Sequence, residues 1–158
     1  MAEKTCGFTG HRDIPDSEIE SVKHGLRKEF NKAIADGYTS FLSGFAEGAD
    51  LLFAEIVAEK CRENPALHLE AVIPYRYLKL MKKEETRALL ESCSHIEIIS
   101  EQLIYSVYQK RNRYIVEHSD RVIAVYDGRD KGGTVATIRM VHAQRKELRE
   151  VPVGTVRR

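Results

Sequence analysis

The chain has 158 residues, 42% hydrophobic and 31% charged, with a formal net charge of +1 at pH 7. That length supplies one domain with a substantial core, so residues 1–158 are expected to form a single unit. Near-neutral charge excludes the broad basic footprint of a duplex-binding protein. No apolar run approaches the ~20 residues of a membrane-spanning helix, and the opening Met-Ala-Glu-Lys-Thr-Cys has no signal-peptide core. Cys6, Cys61 and Cys93 are odd in number and lack Cys-x-x-Cys spacing. They read as reduced thiols of a cytoplasmic protein, with neither a metal site nor a disulfide framework.

Lys4–Thr9 reads as a first strand running into Gly10-His11-Arg12. Asp16 or Ser17 stands where a helix cap belongs, with Glu18 and Glu20 in the first turn. Ile19, Val22, Leu26, Phe30, Ala33 and Ile34 recur at helical spacing, and Gly37 ends that helix. Thr39–Leu42 is a second strand. A second helix runs from about Glu47 to Arg62, where Asn64-Pro65 stops it. Leu67–Ile73 alternates as a third strand ending at Pro74. Leu78–Leu90 is predicted as a charged helix, Ile96–Ile99 as a fourth strand and Leu103–Glu117 as a helix. Arg121–Tyr126 is a continuous apolar run, the pattern of a central strand covered on both faces. Thr134–Leu148 is predicted as a long final helix. Val151–Val156, interrupted by Pro152, is at most an edge strand.

Alternating strands and helices with right-handed crossovers predict an α/β, Rossmann-like open sheet, mostly parallel, with helices on both faces. Ligands of such sheets bind at the carboxyl ends of the strands, where the winding reverses. Three loops therefore share one rim: Thr9–Arg12, Ser43–Asp50 and Asp127–Thr134.

Each loop carries candidate ligand-binding groups. In the first, Thr9, Gly10, His11 and Arg12 offer a hydroxyl, an open backbone, an imidazole and a guanidinium suited to phosphate. In the second, Ser43, Gly44 and Gly48 lead to a helix start whose free N–H groups favour an anion. Asp50 repels a phosphate. It either caps that helix or accepts a hydrogen bond from a ribose hydroxyl or a neighbouring loop. In the third, Asp127 ends the most apolar strand, and Gly132, Gly133 and Thr134 present consecutive N–H groups and a hydroxyl at the last helix start. Arg111 lies on the apolar stripe Ile104, Val107, Tyr108, Ile115 and His118. A guanidinium on an inward face needs a partner. Asp120 or another acid pairs it, or it points into the cleft beside Asn112 and Arg113.

The series Arg111-Asn112-Arg113-Tyr114, His118-Ser119-Asp120, Ala124–Gly128 and Gly132-Gly133-Thr134, with Gly7–Arg12 and Ser43–Asp50, resembles the YpsA-like branch of the SLOG superfamily. The resemblance covers nearly the whole chain. It implies a Rossmann-like domain that binds nucleotides or nucleotide-derived molecules, and self-association as a homo-oligomer. Two related branches frame the alternatives. The LOG phosphoribohydrolases carry Arg-Lys where Arg111-Asn112 stands, followed by Pro-Gly-Gly-x-Gly-Thr-x-x-Glu. Their closing acid is replaced here by Thr137, which cannot stabilise an oxocarbenium-like transition state. Asp50, Glu47 or Asp127 would have to substitute. DprA-type domains, which bind single-stranded DNA, share the pattern of Ser43-Gly44-Phe45-Ala46-Glu47-Gly48-Ala49-Asp50, but the small net charge argues against a nucleic-acid partner.

The expected function is binding of a nucleotide-type phosphorylated small molecule, without further cofactor. The alternatives are an N-glycosidic hydrolase, with Arg111 and Asp50 as candidate catalytic residues, and a single-strand nucleic-acid binder.

Overall fold

The computed structural model describes residues 3–76 and 83–154. Six parallel strands form one sheet: β1 (Lys4–Gly10), β2 (Tyr38–Ser43), β3 (His68–Tyr75), β4 (His95–Ser100), β5 (Arg121–Tyr126) and β6 (Glu147–Pro152). Their spatial order is β4-β3-β2-β1-β5-β6. The chain starts in the middle, winds outward to β4, then returns to lay β5 beside β1. The winding therefore reverses between β1 and β5, and their carboxyl ends flank the crevice that such a reversal opens.

The helices are α1 (Ile19–Ala35), α2 (Ala49–Glu63), α3 (Glu84–Glu91), α4 (Val107–Glu117) and α5 (Gly133–Ala143). α2 packs against α1 and α3 on one face, while α4 packs against α5 on the other. This is what right-handed crossovers require when the winding direction changes. Between β1 and the first layer lies an aromatic core. Phe8 stacks on Phe53 at 4.5 Å between centroids, and Phe30 meets Phe41 edge-on at 4.8 Å. β5 is buried from Arg121 to Val125, as its apolar run predicts.

Several boundaries differ from the sequence expectation. The last helix stops at Ala143, not Leu148. Arg145 takes a positive φ of 58° and turns the chain, so Glu147 and Leu148 open β6 instead. β6 is an edge strand, and Pro152 is its last residue, where a missing N–H costs least. β3 continues through Pro74 to Tyr75. Its register with β2 ends at Ala71, so Pro74 has no β2 residue opposite it. α4 begins at Val107, leaving Leu103, Ile104 and Tyr105 exposed before it. Neither Asp16 nor Ser17 caps α1 with its side chain; both lie in a single 3-10 turn at 16–18 that precedes it. Of the helix expected over Leu78–Leu90, residues 78–82 lie outside the described residues, as does Val156.

The first two rim loops are joined backbone to backbone. The Ala49 N–H donates to the His11 carbonyl at 3.0 Å. Gly48 makes this approach possible. Its φ is +83°, and a Cβ there would lie 2.4 Å from the Arg12 carbonyl oxygen. Gly48→Ala is therefore expected to cost about 3 kcal/mol or more, combining left-handed strain with overpacking. Gly37 also has a positive φ, +96°, but faces open space, so Gly37→Ala costs about 1–2 kcal/mol. Chemical denaturation of both variants reads the difference. Equal losses would mean that backbone sign alone, and not the contact with Arg12, makes position 48 special.

Candidate functional site

At the carboxyl ends of β1 and β5 lies a cleft of about 350 Å³. Of the sequence candidates, Thr9, Gly10, His11, Arg12, Asp50, Arg111, Asn112, Gly132, Gly133 and Thr134 line it. Ser43, Gly48 and Asp127 do not line it, and Gly44 lines an adjoining cavity. Tyr108, Asp13 and Arg129 also line the cleft and were not among the candidates. Arg129 lay within the third loop, but its pairing across loops has no local sequence signal. Tyr108 read as one more member of an apolar stripe.

Arg111 is buried, 5% exposed, at the middle of α4. Its Nη1 donates to the Gly44 carbonyl at 2.8 Å and its Nε to Asn112 Oδ1 at 2.9 Å. Gly44 has no side chain because Arg111 occupies that space: a Cβ would lie 2.7 Å from Nη1 and 3.0 Å from Asp50 Oδ2. Arg111 and Asp50 thus face each other across Gly44. Asp120 does not pair with Arg111: it sits at the opposite end of the sheet, where it accepts the Thr5 N–H at 3.0 Å.

Asp50 lies in the first turn of α2 and is 6% exposed. Its Oδ2 accepts the Ala46 N–H at 3.2 Å. Burial raises its pKa to about 6, against the opposing pull of Arg111, the Ala46 N–H and Arg12. Burial likewise lowers the pKa of Arg111, and Asp50 works against that shift. Each charge is therefore incompletely compensated by the other.

The second loop engages its own N–H groups. Phe45 N–H donates to Ser43 Oγ, Ala46 N–H to Asp50 and Ala49 N–H to His11. Ser43 Oγ in turn donates to the Asp50 carbonyl at 3.1 Å. The third loop is arranged differently. The first helical bond of α5 joins the Ala136 N–H to the Gly132 carbonyl. No side chain caps this helix and no acid stands in its first turn. The Gly133 and Thr134 ends of this turn line the cleft. Thr137 is buried and donates to the Gly133 carbonyl at 2.8 Å, away from the cleft lining.

A polar strut holds the first and third loops together. Arg129 pairs with Asp127 at 2.6 Å and with Asp13 at 3.2 Å. The Arg129 hydrogen bonds hold Asp127 well below the ordinary carboxylate range. His11 is buried, and its Nε2 accepts the Asp127 N–H at 3.2 Å. Burial lowers the His11 pKa, with Asp127 opposing the shift. The same Nε2 lies 3.1 Å from Asp127 Oδ1, so the ring braces β5 against the first loop. Arg12, by contrast, is exposed, with its guanidinium 5.8 Å from the Tyr108 ring centroid.

The chain matches the model of the YspA SLOG family over residues 9–157. It is 28% identical over 120 residues to a UPF0398 protein of Bacillus thuringiensis strain Al Hakam, covering 72% of this chain and 65% of that one. A UPF0398 protein of Bacillus cereus strain AH187 gives the same figures. The match thus spans 65% of the length of these curated relatives. A solved molybdenum cofactor carrier protein from Chlamydomonas reinhardtii aligns with a TM-score of 0.55 at 11% identity, covering 94% of this chain and 76% of its own. At that identity the likeness is one of fold. Among the described residues, no helix is long and apolar enough to cross a membrane.

The buried carboxyl of Asp50 makes stability depend on pH. Well below pH 3.8 the group is neutral folded and unfolded, and nothing is lost. As pH rises from the ordinary 3.8 to about 6, the unfolded chain ionises first and folding loses ground, by order ~3 kcal/mol once pH exceeds 6. Asp50→Asn keeps an acceptor for the Ala46 N–H and carries no charge. Its melting temperature is expected to exceed that of the wild type at pH 8, with the gap closing by about pH 3. A gap independent of pH would disprove this assignment.

Proposed function

The chain belongs to the YspA SLOG family, and from that premise we propose that it binds a nucleotide-type phosphorylated small molecule in the cleft between β1 and β5. The observation that carries this reading is the contrast between the two glycine loops. The N–H groups of Phe45, Ala46 and Ala49 already have partners within the protein. The first turn of α5 has neither a side-chain cap nor an acid. Unpaired N–H groups and the positive end of a helix dipole are a ready site for an anion. The phosphate in this reading rests on Gly133 and Thr134, with Arg12 supplying an exposed counter-charge and Arg111 a buried one. Asn112, tied to Arg111, reaches the same space. The fold-level likeness to a molybdenum cofactor carrier protein is in keeping with a small-molecule binding role. No step of this reading needs a metal.

A second reading rests on Asp50. A buried carboxyl with a pKa of about 6 in the same cleft is suited to proton transfer near neutral pH. It would take the place of the acid that the hydrolase branch carries where Thr137 stands here. In that case a nucleoside monophosphate incubated with the protein releases its free base, and Asp50→Asn abolishes the release. Intact nucleotide after prolonged incubation with bound protein removes this reading and leaves the first in place.

Binding is tested by thermal shift and titration calorimetry against mononucleotides, dinucleotides, ADP-ribose and cyclic nucleotides. A ligand specific to the folded state raises the melting temperature with concentration. Gly133→Asp introduces a carboxylate without a clash, since a Cβ there meets Asn112 Nδ2 at 3.8 Å, an ordinary van der Waals contact. It and Arg12→Ala are each expected to weaken binding by roughly 10- to 100-fold, the value of a charge-assisted hydrogen bond. Unchanged affinity in both variants places the phosphate elsewhere.

A further inference from the structure

A second cavity, of about 360 Å³, opens beside the cleft. Arg12, Ala46, Tyr108 and Arg111 line both spaces. Together they form one recess with a waist. Tyr108 stands at the waist with a guanidinium near it on either count: Arg12 Cζ lies 5.8 Å and Arg111 Cζ 5.9 Å from its ring centroid.

The chemistry changes across this waist. On the β1–β5 side the lining is polar, with Thr9, Asp50, Asn112 and Thr134. On the far side it is Phe45, Leu51 and Tyr75, with the Thr86 hydroxyl and a Glu47–Lys83 ion pair of 3.3 Å. Tyr75 and Tyr108 meet edge to face, 6.4 Å between centroids and 87° between planes. The far chamber therefore has two aromatic walls at right angles. A flat ring laid against one wall presents its edge to the other, an arrangement that aromatic quadrupoles favour. Each chamber lies near the lower end of the roughly 300–1,000 Å³ range of small-molecule pockets. A ligand filling both has two chemically distinct ends.

We propose that the far chamber receives a planar heteroaromatic base, so that the ligand is a nucleotide held at both ends, its phosphate at the start of α5 and its base in the corner that Tyr75 and Tyr108 form. This rests on the phosphate-binding reading above. Arg12 and Arg111 then lie between the two ends, where the sugar and its phosphate ester pass. Base recognition comes from β3 and α4, and phosphate recognition from α5. Sequence positions far apart thus divide the ligand between them.

Calorimetry with ribose 5-phosphate and with the four ribonucleoside monophosphates separates the two ideas. The best of the monophosphates is expected to bind at least 10-fold tighter than ribose 5-phosphate. Tyr75→Ala is expected to remove that advantage while leaving ribose 5-phosphate binding unchanged, and Tyr75→Phe to retain it. Tyr75→Leu, which keeps apolar bulk without a ring, behaves like Tyr75→Ala and serves if the smaller side chain fails to fold. Equal affinity for ribose 5-phosphate and every nucleotide overturns the base chamber alone. So does a Tyr75→Ala loss that falls equally on both ligand types. Failure of ribose 5-phosphate and all four nucleotides to bind overturns the phosphate site and the base chamber together.

Discussion

A buried guanidinium must be satisfied by the fold around it, and in this protein Arg111 sets that requirement. Removing the charge from water is costly, and a neighbouring carboxylate offsets the cost only in part. The solution draws on both layers of the fold. Arg111 belongs to α4 on one face of the sheet, and Asp50 belongs to α2 on the other. They meet at the strand ends, where Gly44 follows β2 and offers its carbonyl to Nη1. A side chain at Gly44 would fill the space between the two charges. The rim of the sheet is thus held by a polar junction in place of apolar packing, and the cleft inherits its charge from that junction.

Two loops of similar composition do different work because their N–H groups have different partners. Buried backbone donors have to be paired. The turn after β2 pairs its own with Ser43, Asp50 and the first loop, so its glycines serve close approach: Gly44 to a side chain, Gly48 to a backbone. The turn after β5 is stapled at its base by Arg129, Asp127 and Asp13. Its far end leads directly into α5, whose first turn lacks a cap. Stability is concentrated in one loop and an open anion-favouring terminus in the other. Asp50 shows the tension between them, since its burial raises its pKa while it supports the loop that shapes the cleft.

Much of the fold was legible because burial imposes periodicity. The unbroken apolar run Arg121–Tyr126 announced a strand covered on both faces, and β5 is buried there. The stripe containing Arg111 placed that residue inward, which its 5% exposure bears out. The final helix was read too long because Glu147 and Leu148 continue an acceptable helical pattern. The reversal depends on Arg145 adopting a positive φ, which no local rule demands of arginine. The caps expected at Asp16 and Ser17 failed for a similar reason: the residues suit a cap, but the 3-10 turn set after Pro15 moves the helix start beyond them.

By itself the sequence determined that strands and helices alternate, that the sheet is parallel and wound in two directions, and that three polar loops lie at one rim. These follow from local periodicity and the handedness of crossovers, which act over neighbouring residues and need no knowledge of distant contacts. The tertiary structure alone decided how the rim is used: that Arg111 faces Asp50 across Gly44, that Arg129 staples loops more than a hundred positions apart, and that Tyr108 stands between two chambers. Those relations depend on three-dimensional distance between residues remote in the chain. Side-chain type and spacing carry no record of that distance until the sheet has brought its strand ends together.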